Sequence, residues 1–388
     1  MVKHLPKISI IIASYNQGPF LQDTLDSIVE QEYPNLEIIL MEGGSTDQSL
    51  SIAQDYDCQV KPWEGMSDGG RAAAINQGAQ HCTGELVAWL KPGDRYMDGA
   101  LWTVSRACLK HPGYGLYVGN GFRYKNGEFK PFCPRHVALS LDMLREGFDH
   151  ILQPSAFISR EAWFKSGSLR TDLRFALDLD LFIRVLDYRR AVVINEFLAV
   201  GRADAETETV PEKIKRIREW IALGNQHAGK EMTLGAAFYF LDTLLKLDEG
   251  NSAELMNLLQ PYAGKEHIRD TVFYIFQPLF RHSQDRGDVR LLVHQPMKQV
   301  QNEMNARWGV QDPFPVHQDW GNAVFVPIPD STFRAEKRHL AGRLPKISII
   351  IPSFNQAEFL SRTLESIVQQ DYPSLEVIVH DGGLRMEV

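Results

Sequence analysis

The amino-acid sequence predicts an α/β protein with a mostly parallel sheet flanked by helices. Short apolar runs rich in Ile, Val and Leu alternate with segments whose apolar residues recur at helical spacing. Residues 6–44 reappear as residues 345–383 with most positions identical, so the start of one strand–helix–strand unit occurs twice. The hydrophobic content of 44% over 388 residues is enough for a large core without disulfide or metal staples.

The first elements can be assigned in chain order. Residues 8–12 are a β-branched apolar run bounded by polar residues, which is typical of a strand buried on both faces. Residues 20–31 follow with the periodicity of a helix. Residues 36–41 predict the second strand, and we expect Ser45 or Thr46 to cap the helix that comes next.

The rest of the chain divides by composition. Later strand candidates at residues 86–90, 114–118 and 191–194 continue the α/β pattern. After this region the chain becomes rich in Leu, Ala, Lys and Glu at helical spacing, and a proline-containing stretch then leads to the second copy. We therefore predict an α/β domain at residues 1–209, a helical appendage at 210–311, a linker at 312–344 and a truncated start of a second α/β domain at 345–388.

Charge and composition exclude several classes of protein. The formal net charge of −8 argues against a nucleic-acid binder, because such binding needs a basic face. The four cysteines lack the spacing of a zinc site or of a disulfide framework. The first residues lack the features of a signal peptide, and no stretch reaches about 18 uninterrupted apolar residues. We therefore expect a cytoplasmic protein, with peripheral attachment to the inner face of the membrane left open.

Small and polar residues follow the predicted strands, at the edge where a parallel sheet binds its ligands. The three segments are Ala13-Ser-Tyr-Asn16, Glu42-Gly-Gly-Ser-Thr-Asp47 and Lys91-Pro-Gly-Asp94. Gly43 and Gly44 would let the backbone approach a ligand while Glu42 accepts hydrogen bonds, which suits a nucleobase or a ribose. The first turn lacks Gly-x-Gly-x-x-Gly, and this disfavours a dinucleotide-dependent dehydrogenase.

These motifs, in this order, resemble the family 2 glycosyltransferases of the GT-A type. Residues 67–78 resemble the family's Asp-x-Gly followed by Ala-x-Asn-x-Gly, and residues 153–157 and 175–184 resemble its acceptor-side segments. The resemblance covers roughly residues 6–205 and repeats over 345–383. Each motif alone is weak, but the ordered set is specific. It implies a GT-A fold and an inverting transfer of a sugar from a nucleotide diphosphate sugar to an acceptor hydroxyl.

The resemblance also implies a role for each candidate residue. Asp178 matches the catalytic aspartate and is expected to act as general base, with Asp180 as its competitor. The two side chains would share one face of a strand but diverge at the start of a helix. The family uses acidic side chains to hold a divalent cation, Mn²⁺ or Mg²⁺, on the donor diphosphate. The other expected roles are donor nucleotide binding by Ala13, Tyr15, Glu42, Asp68 and Arg71, metal binding by Asp94 and Asp204, and acceptor contacts by Gln153 and Asp180.

Three positions depart from the family pattern. The usual pair of carboxylates is reduced to Asp94, Glu42 replaces a commoner Asp, and Asp204 stands where many relatives have a metal-binding His. These departures leave open a non-catalytic nucleotide-binding or assembly module. A glycosidase is a further alternative, since hydrolysis uses two carboxyl groups such as those of Asp178 and Asp180, but it would leave the nucleotide-site motifs unexplained.

The resemblance implies partners as well. A nucleotide sugar donor is expected, with a UDP sugar favoured, together with a glycan or lipid-linked acceptor in polysaccharide or cell-envelope glycan synthesis. The second copy brings apolar strands without a complete sheet, so we expect it to dock on the helical region or to self-associate.

Overall fold

The structure is a computed structural model that falls into two compact units, Met1–Asp319 and Trp320–Val388. The first unit contains both the predicted α/β domain and the predicted helical appendage. The predicted linker at 312–344 lies outside the described residues. The structure describes residues 5–56, 58–62, 70–125, 127–132, 140–202, 209–230, 232–245, 255, 257–258, 294–308, 347–353 and 375–381.

The described part of the first unit contains both strands and helices. Its strands are β1 (Ile8–Ser14), β2 (Leu36–Glu42), β3 (Cys58–Pro62), β4 (Leu86–Leu90), β5 (Arg95–Tyr96), β6 (Leu116–Lys125), β7 (Glu128–Phe132), β8 (Ala156–Ser159) and β9 (Ala191–Arg202). Its helices are α1 (Gly18–Val29), α2 (Ser49–Gln54), α3 (Gly70–His81), α4 (Ala100–Lys110), α5 (Leu141–Arg145), α6 (Arg160–Lys165), α7 (Leu177–Tyr188), α8 (Val210–Ala228), α9 (Leu234–Leu245) and α10 (His294–Trp308). The strand candidates at 114–118 and 191–194 correspond to β6 and β9, which run several residues further than predicted.

In the part of the chain that the structure describes, nine strands form one sheet in the order β3-β2-β1-β4-β8-β6-β9-β5, with β7 paired to β6. Parallel pairs join β1 to β2 and β4, β2 to β3, and β6 to β9. The strands β5, β7 and β8 are antiparallel to their neighbours. The α/β class is thus confirmed, and the sheet is mixed rather than mostly parallel. Because β2 and β4 flank β1 on opposite sides, the strand order switches at β1, and sheets of this kind bind ligands at the carboxyl ends of the strands beside such a switch.

The side chains of β1 alternate between two hydrophobic cores, one on each face of the sheet. Ile10 and Ile12 belong to one core and Ile11 to the other, and all three are fully buried. Each such side chain contributes about 1.5–3 kcal/mol by leaving water. Gly78 lets α3 approach the sheet closely, since a Cβ there would lie 2.7 Å from Cγ2 of Ile11.

Helices α8 and α9 share one of these cores with β1 and α3. Helix α8 begins with a capping box, in which Thr209 and Glu212 exchange hydrogen bonds. Ile217 of α8 and Leu241 of α9 are fully buried in the cluster that contains Ile11. The segment predicted as an appendage therefore packs directly on the α/β sheet. Within the described ranges, none of the helices combines the length and apolar character needed to cross a bilayer.

The second unit repeats the first strand pair of the chain. Its described residues form β10 (Ile347–Ser353) and β11 (Leu375–Asp381), which pair in parallel. The first residues of these two strands lie opposite each other, as Ile8 and Leu36 do in β1 and β2. The repeated sequence thus produces the same pairing in the same register.

Candidate active site

Hydrogen bonds join the turns after β1 and β2 into one structure. Asn16 has a φ of 50°, and its Oδ1 accepts a hydrogen bond from Thr46 N at 2.8 Å. Ser45 Oγ accepts one from Asn16 N at 2.9 Å. The prediction that Ser45 or Thr46 caps the next helix was therefore wrong. Helix α2 begins at Ser49, whose N–H donates to Asp47 Oδ1 at 2.9 Å.

Glu42 organises the turn after β2. Its carboxylate accepts hydrogen bonds from Gly44 N and Ser45 N, each at 2.8 Å, and the side chain is buried. Both oxygens keep a further lone pair for a ligand. Ala13 is buried near the end of β1, while Tyr15, just beyond this strand, is 38% exposed. The predicted donor residues that follow β1 and β2 therefore lie at one end of the sheet.

Asp94 lies in the turn after β4 and is almost fully buried. Its Oδ1 accepts a hydrogen bond from Arg202 N at 2.8 Å, and its Oδ2 accepts one from Lys91 N at 3.3 Å. Burial raises the pKa of Asp94 to about 6, although the charges of Lys91 and Arg71 act in the opposite direction. Gly93 has a φ of 97°, which favours glycine. Asp94 thus fastens this turn to the end of β9.

Asp178 and Asp180 diverge because both lie in the first turn of helix α7. Asp178 is partly exposed, and its Oδ1 accepts a hydrogen bond from Leu179 N at 2.9 Å. Asp180 is fully buried and pairs with Arg184 at 2.6 Å and with His227 at 2.9 Å. The carboxylate of Asp180 is therefore occupied inside the protein and is not open to an acceptor. Of the two, Asp178 is the accessible one.

A second carboxyl group, that of Asp149, interacts with Asp178. Its Oδ1 accepts a hydrogen bond from Ile151 N at 3.3 Å. Burial and the charge of Asp178 raise the pKa of Asp149 to about 7, and Arg123 on β6 opposes this rise. Burial also raises the pKa of Asp178, opposed by backbone N–H groups and by the charges of Arg71 and Arg123. Two carboxyl groups and two guanidinium groups thus act on one another in one site.

Arg71 and Gln153 reach this site from two other elements. Arg71 is exposed in the first turn of α3, and its charge lowers the pKa of both Asp94 and Asp178 against the effect of burial. Gln153 is half-buried, and its Nε2 donates a hydrogen bond to the carbonyl of Trp89 on β4 at 2.6 Å. The turn after β4 and the start of α7 therefore both lie within the electrostatic range of Arg71 at the start of α3.

Residues 9–153 and 348–385 match the family described as Glycosyl transferase family 2. Over these two segments the chain matches a family 2 glycosyltransferase domain. The first matched segment of this glycosyltransferase domain includes β1, β2, β4 and the turns that follow them. Asp178 and helix α8 lie beyond it.

Three known proteins show how the glycosyltransferase domain relates to others. Glycosyltransferase GlyG of Streptococcus pneumoniae is 29% identical over 162 residues, which are 39% of this chain and 54% of GlyG. The poly-beta-1,6-N-acetyl-D-glucosamine synthase of Staphylococcus epidermidis is 32% identical over 115 residues, 29% of this chain and 28% of the synthase. TarS 1–349 of S. aureus, crystallised with UDP, aligns with a TM-score of 0.52 at 16% identity, covering 78% of this chain and 92% of that chain. The match therefore spans about half of GlyG and less of the synthase, and the likeness to TarS confirms the GT-A fold.

Of the predicted metal ligands, Asp94 is the one that the structure describes. Among the described residues, no group of three or more His, Cys, Asp or Glu side chains is arranged to hold a metal ion. Each oxygen of Asp94 accepts one backbone hydrogen bond and keeps a second lone pair. This donor set fits an ion bound mainly by donor phosphates and does not fit an all-protein metal site. Asp204, the other predicted ligand, lies outside the described residues, as does Asp68.

Asp149 and Arg123 were not found from the sequence. Neither belongs to a motif of the resemblance, and they lie far apart in the chain and meet only through the fold. One signal was available for Asp149, because its carboxyl group stands close to the apolar residues Phe148 and Ile151 just before Gln153. A carboxyl group in such surroundings is a candidate for a perturbed pKa.

Proposed function

We propose that this chain is an inverting glycosyltransferase that moves a sugar from a nucleotide diphosphate sugar to an acceptor hydroxyl. The observation that carries the proposal is that the accessible carboxylate of Asp178 lies within the electrostatic reach of Arg71. The proposed base and a cation suited to a diphosphate thus act on each other electrostatically, in a chain that matches the family 2 glycosyltransferases. We favour a UDP sugar as donor and a glycan or lipid-linked acceptor in polysaccharide or cell-envelope glycan synthesis. The name of the matching synthase supports the polysaccharide part. Self-association through the second copy stays a prediction.

The proposed reaction is a direct displacement at C1 of the donor sugar. Asp178 takes the proton of the acceptor hydroxyl while the hydroxyl oxygen forms a bond to C1. The bond from C1 to the phosphate oxygen breaks on the opposite face, and its electron pair leaves with the nucleoside diphosphate. The anomeric configuration therefore inverts. Arg71 contributes positive charge beside the leaving diphosphate, and such preorganised charge lowers the barrier most in a partly dry site.

The donor would be held by the turns after β1, β2 and β4. The exposed ring of Tyr15 offers a surface for the nucleobase, beside buried Ala13. Glu42 is fixed by two backbone N–H groups and can accept a further hydrogen bond from a base or a ribose hydroxyl. We assign Asp68 to the same subsite from the resemblance alone. Gln153 is assigned to the acceptor side on the same ground.

We propose that a divalent cation, Mn²⁺ or Mg²⁺, joins the donor diphosphate at Asp94. When bound, such an ion supplies Lewis-acid stabilisation of the leaving phosphate. Asp204 remains the proposed second protein ligand.

Donor binding can be tested without knowledge of the acceptor. We expect UDP with Mn²⁺ to raise the melting temperature more than GDP, dTDP or CMP does, and EDTA to reduce the shift. A ligand at about 100 times its dissociation constant adds roughly 2.7 kcal/mol to the free energy of unfolding. Tyr15→Ala tests the nucleobase contact. Removal of this exposed side chain should reduce the ligand-induced shift of the melting temperature and have little effect on the melting temperature without ligand. The absence of a shift with every nucleotide would argue against the donor site.

A second candidate function is a non-catalytic nucleotide-binding module. Glu42 and Asp94 both accept hydrogen bonds from backbone N–H groups. Each carboxylate therefore stabilises its own turn, whether or not a ligand is bound. Nucleotide binding without sugar transfer or donor hydrolysis, over a panel of nucleotide sugars, would favour this candidate.

Asp149→Asn should leave the acidic limb of the activity profile in place. The charge of Asp178 helps to raise the pKa of Asp149 to about 7, so Asp178 ionises first, beside a neutral Asp149. A neutral amide at position 149 therefore leaves the ionisation of Asp178 unchanged. The measurement is kcat/KM for donor turnover from about pH 5 to about pH 9. Asp187→Asn, which removes a charge from the exposed pair with Arg145, is the control and should also leave the limb in place. A limb that moves to lower pH only in Asp149→Asn would show that Asp149 is charged where Asp178 titrates.

A further inference from the structure

Helix α8 contacts the segment that carries the proposed base at several points. The segment, residues 170–180, leads into the first turn of α7 and contains Asp178. The contacting residues of α8 recur three, four or eight positions apart, so they lie along one face of the helix. The contacts are Glu212 with Arg174 at 2.7 Å, the guanidinium of Arg216 over the ring of Phe175 at 4.8 Å, Glu219 with the backbone of residues 174–176, and His227 with Asp180 at 2.9 Å.

Glu219 makes the most extensive of these contacts. Its buried carboxylate accepts hydrogen bonds from three successive backbone N–H groups, those of Arg174 at 3.1 Å, Phe175 at 2.7 Å and Ala176 at 3.1 Å. Converging N–H groups of this kind form an anion-binding concavity. Ala176 is the N-cap residue of α7 and has no side chain that could cap the helix. Glu219 therefore supplies from α8 the anion that the start of α7 lacks.

We propose that Glu219 is a positioning residue for the transfer reaction. It fixes the backbone of residues 174–176 and, through it, the place of Asp178 two residues further along the chain. The inference rests on the proposed role of Asp178 as base. A base must lie within hydrogen-bonding reach of the hydroxyl, and a misplacement of about 1 Å can cost roughly 10²-fold in rate. Helix α8, which lies beyond the matched family segment, thus completes the site.

This role predicts a separation between turnover and binding. Donor contacts come from the turns after β1, β2 and β4, which Glu219 does not touch in the described structure. A change at Glu219 should therefore lower kcat and leave the donor KM and dissociation constant in place. A role limited to folding would instead lower the melting temperature and leave the kcat of the folded protein unchanged.

Glu219→Gln tests the proposal in the full chain. An amide oxygen in the place of Oε2 is a weaker acceptor than the carboxylate, and the amide NH₂ in the place of Oε1 would face the N–H of Arg174. We therefore expect kcat for UDP-sugar turnover to fall roughly 10- to 100-fold. The donor KM should stay within about twofold of the wild-type value. Glu219→Asp keeps both carboxylate oxygens on a shorter side chain and should recover part of kcat. It is the variant to measure if Glu219→Gln does not fold. Glu161→Gln removes the same charge from an exposed pair with Arg189 and should match the wild type.

Hydrogen exchange supplies a readout that needs no activity. Amides in residues 170–180 should exchange faster in Glu219→Gln, while those of β1 and β4 should keep their protection. A folded Glu219→Gln protein with wild-type kcat would overturn the proposal, whether or not its exchange is faster. Wild-type protein without any turnover would count against the proposed function instead. The exchange data would still report whether Glu219 fixes the backbone of residues 174–176.

Discussion

Asp178→Asn is expected to remove nearly all sugar transfer while leaving donor affinity unchanged. The amide has the size of the carboxylate and keeps an oxygen for the N–H of Leu179, which now donates to Asp178 Oδ1 at 2.9 Å. It cannot take a proton from a hydroxyl group. Because a positioned base contributes about 10²- to 10⁴-fold, kcat for nucleotide release from a UDP sugar with acceptor should fall by that factor.

The measurement pairs turnover with the UDP-induced shift of the melting temperature. Equal shifts in wild type and Asp178→Asn would show an intact donor site, so the lost rate would belong to the chemical step. Asp187→Asn is the matched control, since it makes the same substitution in a half-exposed ion pair. If Asp178→Asn kept full activity, Asp178 would not be the base, and Asp149 would be the carboxylate to replace next.

The sequence was sufficient for the elements that depend on local pattern. The apolar run of β1 and the helical spacing of α1 predicted both elements because each uses a single period of side-chain burial. The mixed pairing of the sheet was not predictable in this way. Strand β8 is short, and its antiparallel position between β4 and β6 depends on contacts between segments far apart in the chain.

The same distinction, between features set by local pattern and features set by contacts between distant segments, applies to the site. Glu42, Asp94 and Asp178 could be proposed from the sequence because each lies in a motif next to a strand or helix end. Asp149 and Glu219 were missed, because their importance comes from what the fold places against them. The prediction for Ser45 and Thr46 was wrong for a related reason: capping preference is a local argument, and the turn after β1 competes for these side chains.

Asp180→Ala should lower the free energy of unfolding by about 3–5 kcal/mol, the usual cost of removing one partner from a buried ion pair. Asp180 is fully buried, and its Oδ2 accepts hydrogen bonds from Arg184 Nε at 2.9 Å and from Nη2 at 2.6 Å. Its Oδ1 lies 2.9 Å from Nε2 of His227 on α8. Without the carboxylate, the guanidinium of Arg184 keeps its charge and loses its counter-ion in the interior.

Urea unfolding of Asp180→Ala and Asp187→Ala separates this cluster from an ordinary surface pair. The Arg145–Asp187 pair has side chains that are 35% and 40% exposed, so Asp187→Ala should cost about 1 kcal/mol or less. A similarly small loss in Asp180→Ala would mean that the cluster does not hold α8 against α7.

The loss of unfolding free energy in Asp180→Ala should depend on pH, and this dependence gives an independent check of the charge on Asp180. Burial acts to raise the pKa of Asp180, but the hydrogen bond of His227 and the charge of Arg184 outweigh it and lower the pKa below its usual value. A depressed carboxyl pKa stabilises the fold above the unfolded value of about 3.9, and this stabilisation is lost as the pH falls through the folded pKa. The gap in unfolding free energy between wild type and Asp180→Ala should therefore be full at neutral pH and should narrow in acid. A gap that stays constant down to the folded pKa would show that Asp180 acts through packing rather than through its charge.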